Sequence, residues 1–202
     1  MTAALVEPEL SEEDMPSWDY LLSTWQELDV PEGWRAEIDE GLITLVPPPD
    51  DGHNFIAARV DRALLKALPD DWDVYQTLGL YIYRQERLFV PDLVVVPKKL
   101  IAERARKKEK APLAAAEAAL AVEITSKSNA SHDRSSKLSA YASGAVPLYL
   151  LIDRYDEGGP SVTLFSEPRN GMYRTGLRKP FGEPVPLPEP FSTELDTSEF
   201  IA

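Results

Sequence analysis

The sequence predicts an α/β domain in which a central mixed β-sheet is flanked by helices. Three observations carry this. The run HNFIAARVDRALLKAL (His53–Leu68) sets Ile56, Val60, Leu64 and Leu68 at helical spacing, which marks an amphipathic helix. LVVV, directly after Pro91–Asp92, is a continuous β-branched run of the kind buried on both faces of a sheet, and PLYLLIDRY reads the same way. Strand-like and helix-like segments are interspersed, which points to a sheet covered by helices on both faces.

Taken in order, residues 1–16 are acidic, contain prolines and read as a flexible arm, with residues 17–202 as a single domain. Ser17 or Asp19 can cap a short helix through WDYLLSTWQEL, which PEG ends. WRAEIDEGLITLVPPP suits a strand or hairpin stopped by its three prolines. After the His53–Leu68 helix, WDVYQTLGLYIYR and RLFVPDLVVVP read as two strands. The basic segment KKLIAERARKKEK (Lys98–Lys110) follows, as a helix or a mobile loop. LAAAEAALAVEITS then passes from an alanine-rich stretch into a strand centred on AVEIT. SNASHDRSSKLSAYASG is a helix with Gly144 near its stop. SVTLFSEP and GMYRTGLR suggest a hairpin, and the proline-rich end GEPVPLPEPFSTELDTSEF is expected to wrap the surface.

Composition narrows the chemistry. With 202 residues, 44% of them apolar, the chain can build one real core. It has no cysteine, which excludes disulfides, thiolate metal sites and cysteine nucleophiles. No apolar run approaches the roughly 20 residues of a membrane span. The opening MTAALVEPELSEEDMP lacks a basic region followed by an apolar stretch, so a cytoplasmic location is expected. Acidic residues outnumber basic ones 34 to 21, a net charge of −13, which is awkward for a nucleic-acid partner. The charge is uneven, however, and Lys98–Lys110 is densely positive. No GxSxG, P-loop or glycine-rich dinucleotide turn supports a serine hydrolase, ATPase or Rossmann reading.

Three features stand out. Asp92 follows a proline at the first position of a buried strand, where its carboxylate projects from the sheet's rim; alone, it reads equally as a turn aspartate. Glu123 lies inside the apolar LAVEITS, where a carboxylate is costly unless paired or metal-bound; an edge strand facing solvent is the alternative. Asp133, Lys137 and Tyr141 share a helix face at i, i+4, i+8, as an exposed ion pair and a packing tyrosine also would. Two acids from neighbouring strands plus a lysine make a coherent set. Carboxylates are hard ligands for Mg²⁺ or Mn²⁺, and an ammonium offsets charge developing on a phosphate.

PDLVVV, then VEITS, then DRSSKLSAYASGAVPLYLLID, preceded by AEIDEGLI and His53, resembles the Uma-type restriction endonucleases of the PD-(D/E)XK nuclease superfamily over roughly Arg35 to Asp153. The resemblance implies a restriction-endonuclease-like fold and metal-dependent hydrolysis of DNA phosphodiester bonds. It also implies that Asp92 and Glu123 hold the metal, with Glu37 as a further ligand or orienting residue. The usual superfamily lysine lies two residues after the glutamate, where this chain has Thr125; Uma-type proteins look similar, and the lysine maps to Lys137 on the next helix. Lys127 is expected to point into solvent, and Lys137→Ala to abolish cleavage while folding and metal binding stay largely intact. His53 reads as a helix-start residue with a local hydrogen bond, and His132 as solvent-facing. A homodimer is expected, because a duplex has two strands and this chain offers one site. The competing readings are a catalytically inactive nuclease-fold binding or regulatory module and a carboxylate-pair glycosidase.

Overall fold

The structure is a computed structural model, and it describes residues 16–127 and 129–202. The expected acidic arm therefore lies, but for Pro16, outside the described residues. Helix α1 (Trp18–Glu27) starts at Ser17, whose hydroxyl accepts the Tyr20 N–H at 3.4 Å. Strands β1 (Arg35–Asp39) and β2 (Leu42–Val46) form a tight hairpin. Its two turn residues, Glu40 and Gly41, have φ of 49° and 75°, the left-handed pair whose twist matches the strands. Helix α2 (Asp51–Ala67) is capped by Asp50, whose carboxylate accepts the His53 N–H at 2.7 Å.

The two runs expected to be single strands each break in two. WDVYQTLGLYIYR gives β3 (Trp72–Tyr75) and β4 (Leu80–Ile82), and RLFVPDLVVVP gives β5 (Arg87–Phe89) and β6 (Leu93–Pro97). Thr77, at φ 56°, turns the first chain away; in the second, Pro91 has no N–H for a ladder. Helix α3 (Lys98–Lys107), β7 (Leu113–Ala114) and β8 (Leu120–Ile124) follow. The next helix has three parts: α4 (Ala130–His132), a π-helical turn (Asp133–Lys137) and α5 (Leu138–Ser143). It stops at Gly144, where a Cβ would stand 2.8 Å from that of Ala115. The chain ends with β9 (Leu148–Asp153), β10 (Ser161–Arg169), β11 (Met172–Pro180), β12 (Val185–Leu187) and β13 (Thr193–Leu195).

The halves of the broken runs join different sheets. A six-stranded sheet has the order β11-β10-β9-β8-β6-β3, and a five-stranded one the order β2-β1-β5-β4-β7; β12 and β13 pair separately. Among the described residues, only β8–β9 and β4–β7 are parallel. One face of the six-stranded sheet packs Leu93, Val95, Val122 and Leu150 against Ile56, Val60 and Leu64 of α2. The other packs Val94, Ala121 and Tyr149 with Phe89 and Leu80 of the five-stranded sheet and Ala140 and Tyr141 of α5. Helix α1 covers the outer face of the five-stranded sheet through Leu21, beside Ile38 and Leu88.

One expectation changes here, and one open reading is settled. The C-terminal stretch does not merely wrap the surface: Val185, Leu187, Phe191, Leu195 and Phe200 are buried in the α2 core. Its prolines interrupt helix and ladder but leave alternate apolar side chains free to point inward. The basic segment is a helix, with Leu100 and Ile101 packed inward and its lysines exposed. Among the described residues, no helix is long and apolar enough to cross a membrane.

Candidate active site

The strand register builds the site. In the antiparallel pair β6–β8, Leu93 faces Val122 and Val94 faces Ala121. One residue further, Asp92 stands opposite Glu123, with the Asp92 N–H donating to the Val122 carbonyl at 3.1 Å. Alternation then puts both carboxylates on the Val94–Ala121 face, between the two sheets. Arg35 and Glu37 lie two apart on β1 and share a face by the same rule. They secure the chain where it crosses between sheets at Pro91. Glu37 Oε1 accepts the Val90 N–H at 2.9 Å, and Arg35 donates to the Val90 carbonyl at 3.1 Å.

Lys137, on the π-helical turn, is the hub. Its Nζ lies 3.0 Å from Glu123 Oε1, 3.3 Å from Glu37 Oε1 and 3.4 Å from Asp133 Oδ1, with the side chain 3% exposed. The Tyr141 hydroxyl donates to Glu123 Oε1 at 2.6 Å. Asp92 is held separately: Arg35 donates to Oδ1 at 2.8 Å, the Ile124 N–H to Oδ2 at 2.8 Å, and His53 Nε2 lies 2.9 Å from Oδ2. Arg35, His53, Asp92, Glu123, Asp133 and Lys137 line a cavity of about 200 Å³, together with Pro47–Pro49 and Asn129.

Burial would raise the Asp92 carboxyl, but His53, Arg35 and the Ile124 N–H outweigh it and hold it at about 2. Glu123 goes the other way. Burial pushes it well up, Lys137 opposes this, and Asp133, Asp92 and Glu37 add to it. Asp133 is raised too, by burial and then by Asp92 and Glu37, against the pull of Lys137. Burial should depress Lys137, yet its carboxylate neighbours hold it well above the ordinary lysine value, so it stays an ammonium. Four acidic side chains (Glu37, Asp92, Glu123, Asp133) thus face two permanent cations (Arg35, Lys137).

The structure brings together Asp92, Glu123, Lys137 and Glu37. It leaves Thr125 out: its hydroxyl donates to Asp153 Oδ1 at 3.2 Å and accepts the Arg154 N–H at 3.0 Å. Lys127 is exposed on a turn. Two expectations for histidines are corrected. His53 carries more than a local helix-start bond, because its ring reaches Asp92; the signal was its place on the Ile56–Val60 stripe. His132 is not simply solvent-facing, since Nε2 lies 2.6 Å from Asp39 Oδ2 and ties the helix to the β1–β2 hairpin. Arg35 was missed although it stands two residues before Glu37 on a strand. Tyr141, left open between packing and function, is bonded to Glu123.

The carboxyl oxygens suit a hard divalent cation in chemistry: acids outnumber cations, and Asp133 Oδ1 is buried without hydrogen-bond geometry to any partner. In the present arrangement Lys137, Arg35 and His53 stand among the carboxylates. Among the described residues, no three histidine, aspartate or glutamate side chains are grouped so as to hold a metal ion.

Comparison with known proteins agrees with this fold. A solved structure from Anabaena variabilis, described as "a putative nuclease belonging to DUF820", superposes with a TM-score of 0.66 at 17% identity, covering 92% of this chain and 97% of that one. At that identity the likeness shows a shared fold. No curated protein sequence matches the chain. Residues 22–198 match the Uma2 family, described as "Putative restriction endonuclease", and the chain therefore belongs to that family.

Proposed function

We propose that the chain is a divalent-metal-dependent endonuclease that hydrolyses phosphodiester bonds in DNA. In this reading Asp92, Glu123 and Glu37 hold Mg²⁺ or Mn²⁺, and Lys137 is the catalytic cation. The observation that carries it is Lys137 Nζ, 3.0 Å from Glu123 Oε1, on the floor of the cavity that Asp92 also lines. When bound, the metal polarises the phosphoryl group and lowers the pKa of a water.

The protein's own groups do the rest. Arg35 and His53 fix Asp92 in its ionised form. Tyr141 and Lys137 both engage Glu123 Oε1, which fixes the carboxylate's orientation. The Lys137 ammonium offers donors to the charge that builds on the phosphoryl oxygens. A water oxygen bonds to phosphorus, the ester P–O bond breaks, the water's proton leaves and the departing oxygen gains one.

One site per chain and two strands per duplex favour a homodimer acting in the cytoplasm. Strand β2, LITLV, supports this as an edge without a charged side chain, since charges are the usual guard against pairing. Light scattering at micromolar concentration reads the mass, and a clean monomer counts against the dimer. The test of function is plasmid nicking in Mg²⁺ and Mn²⁺ beside Asp92→Ala. Metal-dependent nicking that Asp92→Ala loses is the expected result. DNA binding without nicking under either metal gives the ground to the inactive binding module, a reading favoured by the net charge of −13 and by Thr125.

A further inference from the structure

Asp133, Lys137 and Tyr141 are each four residues apart, yet all three gather around Glu123. An α-helix sets such residues on one side but fans them out. At 3.6 residues per turn, four residues overshoot a full turn by about 40°, and two such steps drift by about 80°. A π turn closes i to i+5 and is underwound, so its four-residue step falls short of a full turn instead. The π-helical turn spans Asp133–Lys137, the first of the two steps. It offsets the drift of the second step, through α5, and aligns all three side chains on the sheet.

At the end of the turn the Leu138 N–H bonds the Ser135 carbonyl. At its start the Asp133 carbonyl accepts the hydroxyl of Tyr149 at 2.9 Å, deep in the core. Tyr149 is a rigid donor. It lies on the central strand β9, paired with Ala121 of β8, and its ring packs against Tyr141 (5.2 Å between centroids), Phe165 (5.8 Å) and Tyr173 (6.4 Å).

We propose that Tyr149 is a positioning residue for Lys137: its hydroxyl stabilises the π-helical turn at Asp133, and the turn aims the ammonium at Glu123 and Glu37. The inference rests on the reading of Lys137 as the catalytic cation. Without the hydroxyl, the turn relaxes toward α-helical bonding and Lys137 rotates away from the carboxylates.

The experiment compares Tyr149→Phe with Tyr173→Phe. The second is a matched control. The Tyr173 hydroxyl also donates to a backbone carbonyl, that of Val146 at 2.8 Å, and belongs to the same aromatic stack, but it touches nothing in the turn. With ¹⁵N-labelled lysine, the buried Lys137 ammonium should give a slowly exchanging signal in the wild type. Tyr149→Phe should lose or shift that signal, move the amide shifts of residues 133–138, and lower the nicking rate about a hundredfold at unchanged DNA KM, as expected for misplacement near 1 Å. Tyr173→Phe should leave both the signal and nicking as they are. A Tyr149→Phe protein that keeps the Lys137 signal overturns the proposal, as does a Tyr173→Phe protein that loses it equally.

If Tyr149→Phe does not fold, the wild type decides. The Tyr149 hydroxyl proton should be slow to exchange and show NOEs to the amides of the turn; exchange as fast as that of a surface tyrosine overturns the proposal. A wild type that never nicks DNA removes the nuclease reading, while the ammonium signal still judges the positioning.

Discussion

Replacing Lys137 with methionine keeps a long apolar stem and removes only the charge. The ammonium has three carboxylate oxygens at 3.0, 3.3 and 3.4 Å, all within the core. At an effective dielectric of 20, the closest contact alone is worth about 5 kcal/mol gross. Most of that repays desolvation, but removing one partner leaves uncompensated buried charge, which costs about 3–5 kcal/mol. In a domain of this size that lowers the unfolding midpoint by about 10 °C. The loss depends on pH. Glu123 and Asp133 are already raised by burial, and a carboxyl raised in the folded state contributes stability below its unfolded value and loses it as pH rises through the folded one. Without Lys137 they rise further, so the variant should suffer more at pH 8 than at pH 5, where protons replace the ammonium. Circular-dichroism melts at the two pH values measure this, and plasmid nicking should fall about a hundredfold in parallel. A variant melting within about 2 °C of wild type at pH 8 would refute the buried-network account. The sequence alone led to the expectation that Lys137→Ala spares folding; the burial of Lys137 among three carboxylates makes a loss of stability the outcome expected from the structure.

Moving the lysine to the usual superfamily position should not rescue that variant. Thr125 is fully buried and bonded to Asp153 and Arg154, so Lys137→Met/Thr125→Lys is expected to melt lower still and remain inactive; recovered nicking would refute this. Lys127→Ala, on an exposed turn, should nick within about twofold of wild type, below the tenfold that 1.4 kcal/mol represents. Asp92 is held at about 2 against an unfolded value near 3.9, so its stabilisation is present above that value and lost as pH falls through the folded one. Between about pH 4 and pH 2 the wild type should lose roughly 2 kcal/mol more than Asp92→Asn, read by urea unfolding. Helix α3 starts at Lys98, six residues beyond Asp92 along β6 and about 20 Å away, so its lysines can add DNA affinity without touching the chemistry. Changing Lys98, Lys99, Lys107 and Lys108 to Gln should flatten the log–log salt dependence of DNA binding by about 3–4 while the rate at saturating DNA holds; an unchanged slope marks α3 as a solvated face.

Local rules reached a good part of this molecule. The 3.6-residue period of Ile56, Val60 and Leu64 fixed α2, and the uninterrupted LVVV fixed a buried strand, because each pattern reports burial on a regular element. Glu123 betrayed itself the same way, as a charge inside an apolar strand that needs a partner to be tolerated. What a linear pattern cannot hold is which elements become neighbours. Pro91 was visible, but not that the chain changes sheets there and leaves the Val90 N–H and carbonyl to Glu37 and Arg35. The approach of His53 to Asp92 spans 39 residues, and that of Arg35 spans 57. The π-helical turn was invisible as well, since DRSSK satisfies an ordinary helix. The sequence by itself determined the chemical inventory: two strand carboxylates, a helix lysine and an upstream glutamate in order. Only the tertiary structure decided that they meet, because the β6–β8 register sets Asp92 opposite Glu123, and a helix packed between two sheets carries the Lys137 ammonium within 3.0 Å of Glu123, where burial turns neighbouring charges into mutual requirements.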